Sequence, residues 1–225
     1  IQVLIFYYQY RVNHELNGPG WWMLWSVCEA IGFTAMLLRD FYSILPLVII
    51  VQNTAIVAGT LFIYVGMMKF MNKAVNLKII IPGFIAYFLS LLFFLFIKDD
   101  IQIRSAIINF AIAAVSFLTA FSLFKNRIKI IRASLIFNIV ILVLHGSVFA
   151  YRFVMMFSGV YAINFFDASF FNLIALFDAL IASSLWTFGF IIMVNQRLNA
   201  EMKAAKDDFE MIFNASPDAV IITRI

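Results

Sequence analysis

Six runs of mostly apolar residues, each long enough to cross a lipid bilayer, dominate this chain of 225 residues. A spanning helix needs about 20 such residues, because the hydrocarbon core of a bilayer is about 30 Å thick. The runs lie at Trp21–Leu38, Ile44–Met68, Ile79–Phe96, Ala106–Phe124, Ala133–Phe157 and Phe166–Val194. Charged residues make up only 12% of the chain, against about 25% in a typical soluble protein. The sequence therefore predicts a multi-pass membrane protein in contact with a lipid bilayer.

A shorter apolar segment, IQVLIFYYQY at residues 1–10, precedes the six runs. It is too short to cross a bilayer, so we interpret it as the inner end of a helix whose start is missing. Ile1 stands where an initiator methionine would be, and the segment lacks the basic start and cleavage site of a signal peptide. The predicted fold is an all-α bundle of seven transmembrane helices, the first incomplete, that continues into a cytoplasmic signalling helix.

The distribution of lysine and arginine between the short loops predicts the orientation. The basic residues on one side are Arg11, Lys69, Lys73, Lys78, Lys125, Arg127, Lys129, Arg132, Arg197, Lys203 and Lys206. The opposite side holds Arg39, Lys98 and Arg104 beside Asp40, Asp99 and Asp100. Because short loops rich in lysine and arginine stay in the cytoplasm, the C-terminus is predicted to be cytoplasmic. An interfacial aromatic belt is predicted at the inner ends of the first two helices, from Tyr7, Tyr8, Tyr10, Trp21, Trp22 and Trp25.

After Val194 the chain becomes polar but keeps a helical pattern. The less polar residues recur at spacings of four, three, four and three, which is a heptad seam. They are Leu198, Met202, Ala205, Phe209 and Ile212. The spacing favours a dimeric coiled coil that carries a signal between two copies of the chain. The alternative is a solvated helix end without a partner.

The last residues of the chain resemble the entry to a PAS domain. In that family a connecting helix carries a pattern like (F/L)xxIFxxSPDAI, followed by the first strand, and this chain reads FEMIFNASPDAVIIT from Phe209. Ile212 and Phe213 match the apolar pair, Ser216-Pro217-Asp218 match the turn, and Ala219–Thr223 match the strand. The resemblance divides the chain into a membrane domain at 1–194, a connecting helix at 195–213 and the start of a PAS domain at 214–225.

The membrane part resembles the N-terminal seven-helix sensor region of some bacterial signalling proteins. The resemblance rests on a tryptophan-rich helix start, two glycines, an outer arginine, an intramembrane asparagine and a final phenylalanine. These are Trp22, Gly32, Arg39, Asn53, Gly66 and Phe70. In such proteins the sensor precedes PAS domains and then a diguanylate cyclase with a GGDEF motif, or a histidine kinase of a two-component system. The resemblance implies membership in this group. We therefore expect a sensor region in the bacterial inner membrane, and the heptad seam predicts that it is a homodimer.

Polar residues within the predicted spanning helices are the candidate sensing residues, because ionisable groups in a spanning helix are costly and often functional. The candidates are Glu29, Asn53, His145, Arg152 and Asp178. Four of them lie near mid-membrane depth, and Arg152 lies nearer the outer side. His145 and Arg152 are seven residues apart on one helical face, so this basic pair is predicted to meet acids on helices two and seven. The group would form a pocket for an apolar or amphiphilic ligand. The alternative is that these residues only join helices by hydrogen bonds, each worth about 0.6 kcal/mol.

Several other chemistries lack the residues they need. A retinal protein needs a lysine in the last helix, which has none, and haem with two histidine ligands needs a second intramembrane histidine beside His145. We therefore expect no cofactor, no metal and no nucleic-acid partner. No catalytic motif occurs in these residues, so any enzyme activity depends on the output domain that the resemblance implies. Two other functions stay open, a small-molecule transporter or channel and a passive membrane anchor that dimerises.

Overall fold

The structure is a computed structural model that describes residues 1–39, 44–126, 128–158 and 170–215. These residues form seven α-helices and a short 3₁₀ turn, with no strand among them. The helices are α1 Gln2–Val12, α2 Pro19–Leu37, α3 Leu45–Phe70, α4 Leu77–Phe96, α5 Ile101–Lys125, α6 Arg132–Met155 and α7 Phe170–Ala215. The predicted all-α fold is confirmed. The predicted start of the last run, at Phe166, lies outside the described residues.

Five of these helices, α3 to α7, are long and apolar enough to cross a membrane. The chain is therefore a multi-pass membrane protein. α2 is not among the five, because Glu29 and its tryptophans lower the hydropathy of its 19 residues. α1 has 11 residues, which is half the length of a span.

The helices pack in an order that closes a bundle. α2 contacts α1 and α3, α3 contacts α5, α5 contacts α6, and α6 contacts α7. The Nε2 of Gln2 in α1 donates to the Oγ1 of Thr187 in α7 at 3.0 Å, and this bond closes the ring. α4 lies outside the ring against α5 and α3, and buries only Tyr87 and Leu91.

A cluster of aromatic rings fills the inner half of the bundle. The Trp22 ring stacks on Phe190 of α7 with centroids 4.4 Å apart, and Phe6 and Trp25 pack around the same ring. Gly66 of α3 makes room for Trp22, because a Cβ at that position would lie 2.6 Å from the indole. The cluster fixes α1, α2 and α3 against α7.

The predicted aromatic belt is wrong for two of its six members. Trp22 and Trp25 are buried inside the bundle, because α7 and α1 cover the face of α2 that carries them. Tyr7, Tyr8 and Tyr10 of α1 are exposed on the bundle surface, where lipid contact suits an aromatic ring with a polar tip.

Candidate functional site: a cavity between five helices

A cavity of about 760 Å³ lies between α2, α3, α5, α6 and α7, with Leu95 from the outer end of α4 also in its lining. It extends from the outer ends of the helices towards mid-membrane depth. Four of the five candidate sensing residues line it: Glu29, Asn53, His145 and Arg152. The fifth, Asp178, contacts one of these four. Candidate side chains from four helices, α2, α3, α6 and α7, therefore come together in one place. The volume falls in the range of about 300–1,000 Å³ that is usual for small-molecule sites.

A hydrogen-bonded pair of side chains joins α6 to α7 beside this cavity. The Nδ1 of His145 lies 2.7 Å from the Oδ2 of Asp178, and both side chains are largely buried. The imidazole also packs edge-on against Trp186 of α7 and beside Phe149 of its own helix, both with centroids 4.8 Å away. The predicted contact between a basic residue of helix six and an acid of helix seven is therefore present.

Arg152 lies about two helical turns beyond His145 on α6 and makes a different contact. Its Nε donates to the Oδ1 of Asn109 on α5 at 3.3 Å. Both side chains are buried. This bond joins the arginine to an amide of α5, the helix that packs beside α6. The predicted pairing of Arg152 with an acid stays a prediction.

Glu29 and Asn53 lie on the two helices that face α6 across the cavity. One carboxyl oxygen of Glu29 is buried without a hydrogen-bond partner among the described residues. The Asn53 side chain is buried, and its backbone oxygen accepts a hydrogen bond from the hydroxyl of Tyr87 at 3.0 Å. A buried oxygen without a hydrogen bond lowers stability. A ligand in the cavity that formed a hydrogen bond with Glu29 would remove this cost.

Two arginines at the outer end of the cavity, Arg39 and Arg104, were not predicted from the sequence as site residues. The Nε of Arg39 donates to the Oε1 of Gln52 on α3 at 2.7 Å. The Nη1 of Arg104 donates to the backbone oxygen of Phe94 and to the Oδ1 of Asp99, both at 3.2 Å. Burial lowers the pKa of Arg39, and the charge of nearby Arg104 lowers that pKa further. One feature of the sequence could have indicated them: both arginines lie near aspartates at the predicted outer ends of the helices.

At the inner end of the bundle, contacts of Arg197 fix the position of α7 where this helix leaves the bundle. The Nη1 of Arg197 donates to the backbone oxygen of Phe70 at 2.6 Å, and its guanidinium lies 5.4 Å from the centroid of the Phe70 ring. One turn further on, Glu201 accepts from the Nε of Arg197 at 2.9 Å. Ser134 of α6 donates to Gln196 of α7 at 2.7 Å. These bonds fix the rotation of α7 where it leaves the bundle.

The predicted transmission residues lie on the last part of α7, which runs without a break to Ala215. Leu198 packs against the core of the bundle. Met202, Phe209 and Ile212 are 63%, 58% and 71% exposed. The residues predicted to form the PAS turn and strand, 216–225, lie outside the described residues.

No protein-family model, no curated protein and no solved structure matches this chain. The class of protein is therefore defined here from the fold and the cavity alone. It is an all-helical, multi-pass membrane protein with a cavity of mixed polar and apolar lining and a final helix that extends beyond the bundle.

Proposed function

We propose that the chain is the signal-input region of a membrane receptor, which senses an apolar or amphiphilic ligand, or the state of the membrane. The observation that carries the proposal is the close contact between the side chains of His145 and Asp178. Asp178 belongs to α7, which also lines one wall of the cavity through Leu176, Ala179 and Trp186 and extends to Ala215. A ligand that changes the packing of α6 against α7 would therefore act directly on the helix that leaves the bundle.

The proposed transmission is a shift or rotation of α7 between two states. A ligand drives such a change only if it binds one state more tightly than the other. The inner contact of Arg197 with Phe70 holds α7 in the present rotation, so a rotated state would have to break or exchange that bond. Helix shifts of about 1–2 Å at interfaces are a common form of such switching.

The exposed end of α7 supports dimerisation as the output of this movement. Apolar side chains at Met202, Phe209 and Ile212 are exposed at heptad spacing, and a second copy of the helix would cover them. In the proposed assembly, Leu198 to Ile212 of two subunits form a parallel coiled coil. Its geometry sets the activity of a PAS domain and then of a diguanylate cyclase or histidine kinase.

The proposed topology adds α2 as a sixth span and α1 as part of a seventh, in the bacterial inner membrane with a cytoplasmic C-terminus. The lysines and arginines at the inner ends of the helices support this orientation. The tight packing of α2 against α3 and α7 supports its membrane position, because a buried helix tolerates polar residues that a lipid-facing one does not.

Disulfide trapping in native membranes tests the coupling between the cavity and the end of α7. Cysteine is placed at Met202 or at Asn199 after Cys28→Ser has removed the native thiol. Trapping of dimers is expected at position 202 and not at 199, and Asp178→Asn is expected to change the rate at 202. Ser184→Ala is the matched control, because Ser184 is exposed on the same helix and bonds only back to Leu180 among the described residues.

Two outcomes of this experiment count against the proposal. Trapping at 199 but not at 202 contradicts the register of the coiled coil. Equal trapping rates in the Asp178→Asn and Ser184→Ala proteins contradict the coupling and leave a passive dimerising anchor. The cavity also suits a transporter, so flux of a solute into vesicles that depends on the protein would replace the receptor proposal.

A further inference from the structure

α7 turns one side towards the bundle and the opposite side away from it. Trp186, Phe190 and Met193 are buried in the core of the bundle. With about 3.6 residues per turn, Phe188 lies on the side of α7 opposite to Trp186 and Phe190. The exposed residues along that side are Phe177, Ile181, Ser184 and Phe188. The described helices therefore leave this side of α7 open to lipid or to another chain.

The heptad seam at the end of α7 continues onto this open side. Counting back from Leu198 in alternate steps of three and four residues gives the earlier positions of the same repeat. They are Asn195, Ile191, Phe188, Ser184, Ile181 and Phe177. Five of these side chains are exposed, and Ile191 is half-buried. Since α7 has no break, one stripe runs from Phe177 in the membrane to Ile212, over about 53 Å at 1.5 Å per residue.

Asn195 distinguishes a second copy of the helix from lipid as the cover of this stripe. Apolar side chains alone do not, because lipid tails are as apolar as leucine. The Asn195 side chain is exposed and forms no hydrogen bond with another residue in the described part of the chain. It occupies an a position of the heptad, where a single asparagine specifies the register and the number of strands. A second α7 would supply the hydrogen-bond partner that a lipid tail lacks.

We infer that two copies of the chain pack along this stripe from Phe177 to Ile212, with the two Asn195 side chains bonded to each other. The two helices cross in the left-handed sense at about +20°, which keeps a seven-residue seam between them. Ser184 lets them approach closely, and its hydroxyl already bonds back to Leu180. This interface rests on the coiled coil of the proposed function and extends it into the membrane, where a rotation of α7 in one subunit acts directly on the other.

Disulfide trapping in native membranes tests the membrane part of this interface. Single cysteines replace Ile181 or Phe188 after Cys28→Ser has removed the native thiol. Leu180 is the matched control, because it is 53% exposed against 56% for Ile181 but lies at the edge of the stripe. Leu89 of α4, 59% exposed, is the control on another helix. Because a disulfide needs Cβ atoms about 3.5–4.5 Å apart, trapping is expected to be about tenfold faster at 181 and 188 than at either control.

Two copies with different affinity tags are produced together, so that each trapped species shows which chains it contains. The expected product at positions 181 and 188 is a dimer that carries both tags. Equal trapping rates at 180 and 181 would mean that lipid covers the stripe, and they overturn the inference. Faster trapping at Leu89, or products that join the chain only to a different protein, overturn it as well.

Substitution of Asn195 tests the polar contact across the pair. Asn195→Ala is expected to raise the dissociation constant of the dimer about three- to tenfold, as the loss of one polar contact between membrane helices does, and Asn195→Gln should restore part of the affinity. Asn199→Ala is the matched control, because Asn199 is exposed one turn further along α7 but lies off the seam. Energy transfer between labelled copies, measured over a range of lipid-to-protein ratios in vesicles, gives the constants. Equal constants for the two alanine variants refute the assigned interface.

Failure of the membrane interface can be told apart from failure of the proposed function. Trapping at position 202 that responds to Asp178→Asn, without a preference for 181 and 188 over 180, removes the membrane interface and leaves the receptor with its coiled coil. Preferred trapping at 181 and 188, with a rate at 202 that does not respond to Asp178→Asn, keeps the interface and refutes the coupling to the cavity.

Discussion

Replacing Asp178 with asparagine removes the carboxyl group from the hydrogen-bonded pair that joins α6 to α7, and keeps the shape of the side chain. The Nδ1 of His145 lies 2.7 Å from the Oδ2 of Asp178, and the two side chains are 8% and 15% exposed. Solvent therefore screens the pair little. An amide at position 178 still accepts one neutral hydrogen bond from the imidazole.

The expected cost follows from the two kinds of hydrogen bond. A bond to a charged group contributes about 1.5–3 kcal/mol to stability, and a neutral one about 0.5–1.5 kcal/mol. The difference of about 1–1.5 kcal/mol is close to a tenfold change in an equilibrium constant. It also lies within the measured range for membrane helices, where polar pairs reach about 1.7 kcal/mol.

A double-mutant cycle measures this interaction. Asp178→Asn, His145→Ala and the double variant are unfolded reversibly with dodecyl sulfate in mixed micelles, and circular dichroism reports the free energy of unfolding. We expect a coupling energy of about 1–1.5 kcal/mol between the two sites.

A control cycle tests whether the coupling is specific. It combines Asp178→Asn with Arg197→Gln, 19 residues further along α7 and thus about 28 Å away. These two changes should be additive within about 0.5 kcal/mol, as is usual for distant sites. A coupling between His145 and Asp178 no larger than this control would refute the view that the pair joins α6 to α7.

Two further predictions concern contacts of the inner half of the bundle. Gly66→Ala should lower stability by about 1–3 kcal/mol, because its Cβ would lie 2.6 Å from the Trp22 ring; in Gly83→Ala of α4 the Cβ meets nothing within 4 Å, and the change should stabilise by up to about 1 kcal/mol. Thermal unfolding compares the two, and equal shifts would contradict the packing of α2 on α3. Arg197→Ala should release the exit of α7 from Phe70 at a cost of about 1–2 kcal/mol, and Arg197→Lys should cost less. Hydrogen exchange of the amides just after residue 197 should become faster, and unchanged exchange would mean that the contact does not hold the helix.

The sequence was sufficient for features that depend on neighbours along the chain. Hydropathy summed over about 20 residues predicted α3 to α7 as membrane-crossing helices, because the cost of burying backbone in lipid is met within each helix. The same local reading placed polar groups such as His145 and Asp178 at mid-membrane depth. It also predicted a span at Trp21–Leu38, but α2 is not among the five helices that are long and apolar enough to cross a membrane, and aromatic rings of other helices pack against it.

Which side chains meet was decided only by the tertiary structure. Depth along a helix follows from residue number, whereas the direction in which a side chain points depends on how each helix is rotated against its neighbours. That rotation joins His145 to Asp178, and it turns Trp22 into the core where a belt was predicted. It also brings Arg39 and Arg104, separate charges in the sequence, to one end of a single cavity. Helix packing fixes these contacts through side chains far apart in the chain, such as Gly66 and Trp22, and local sequence patterns do not contain that information.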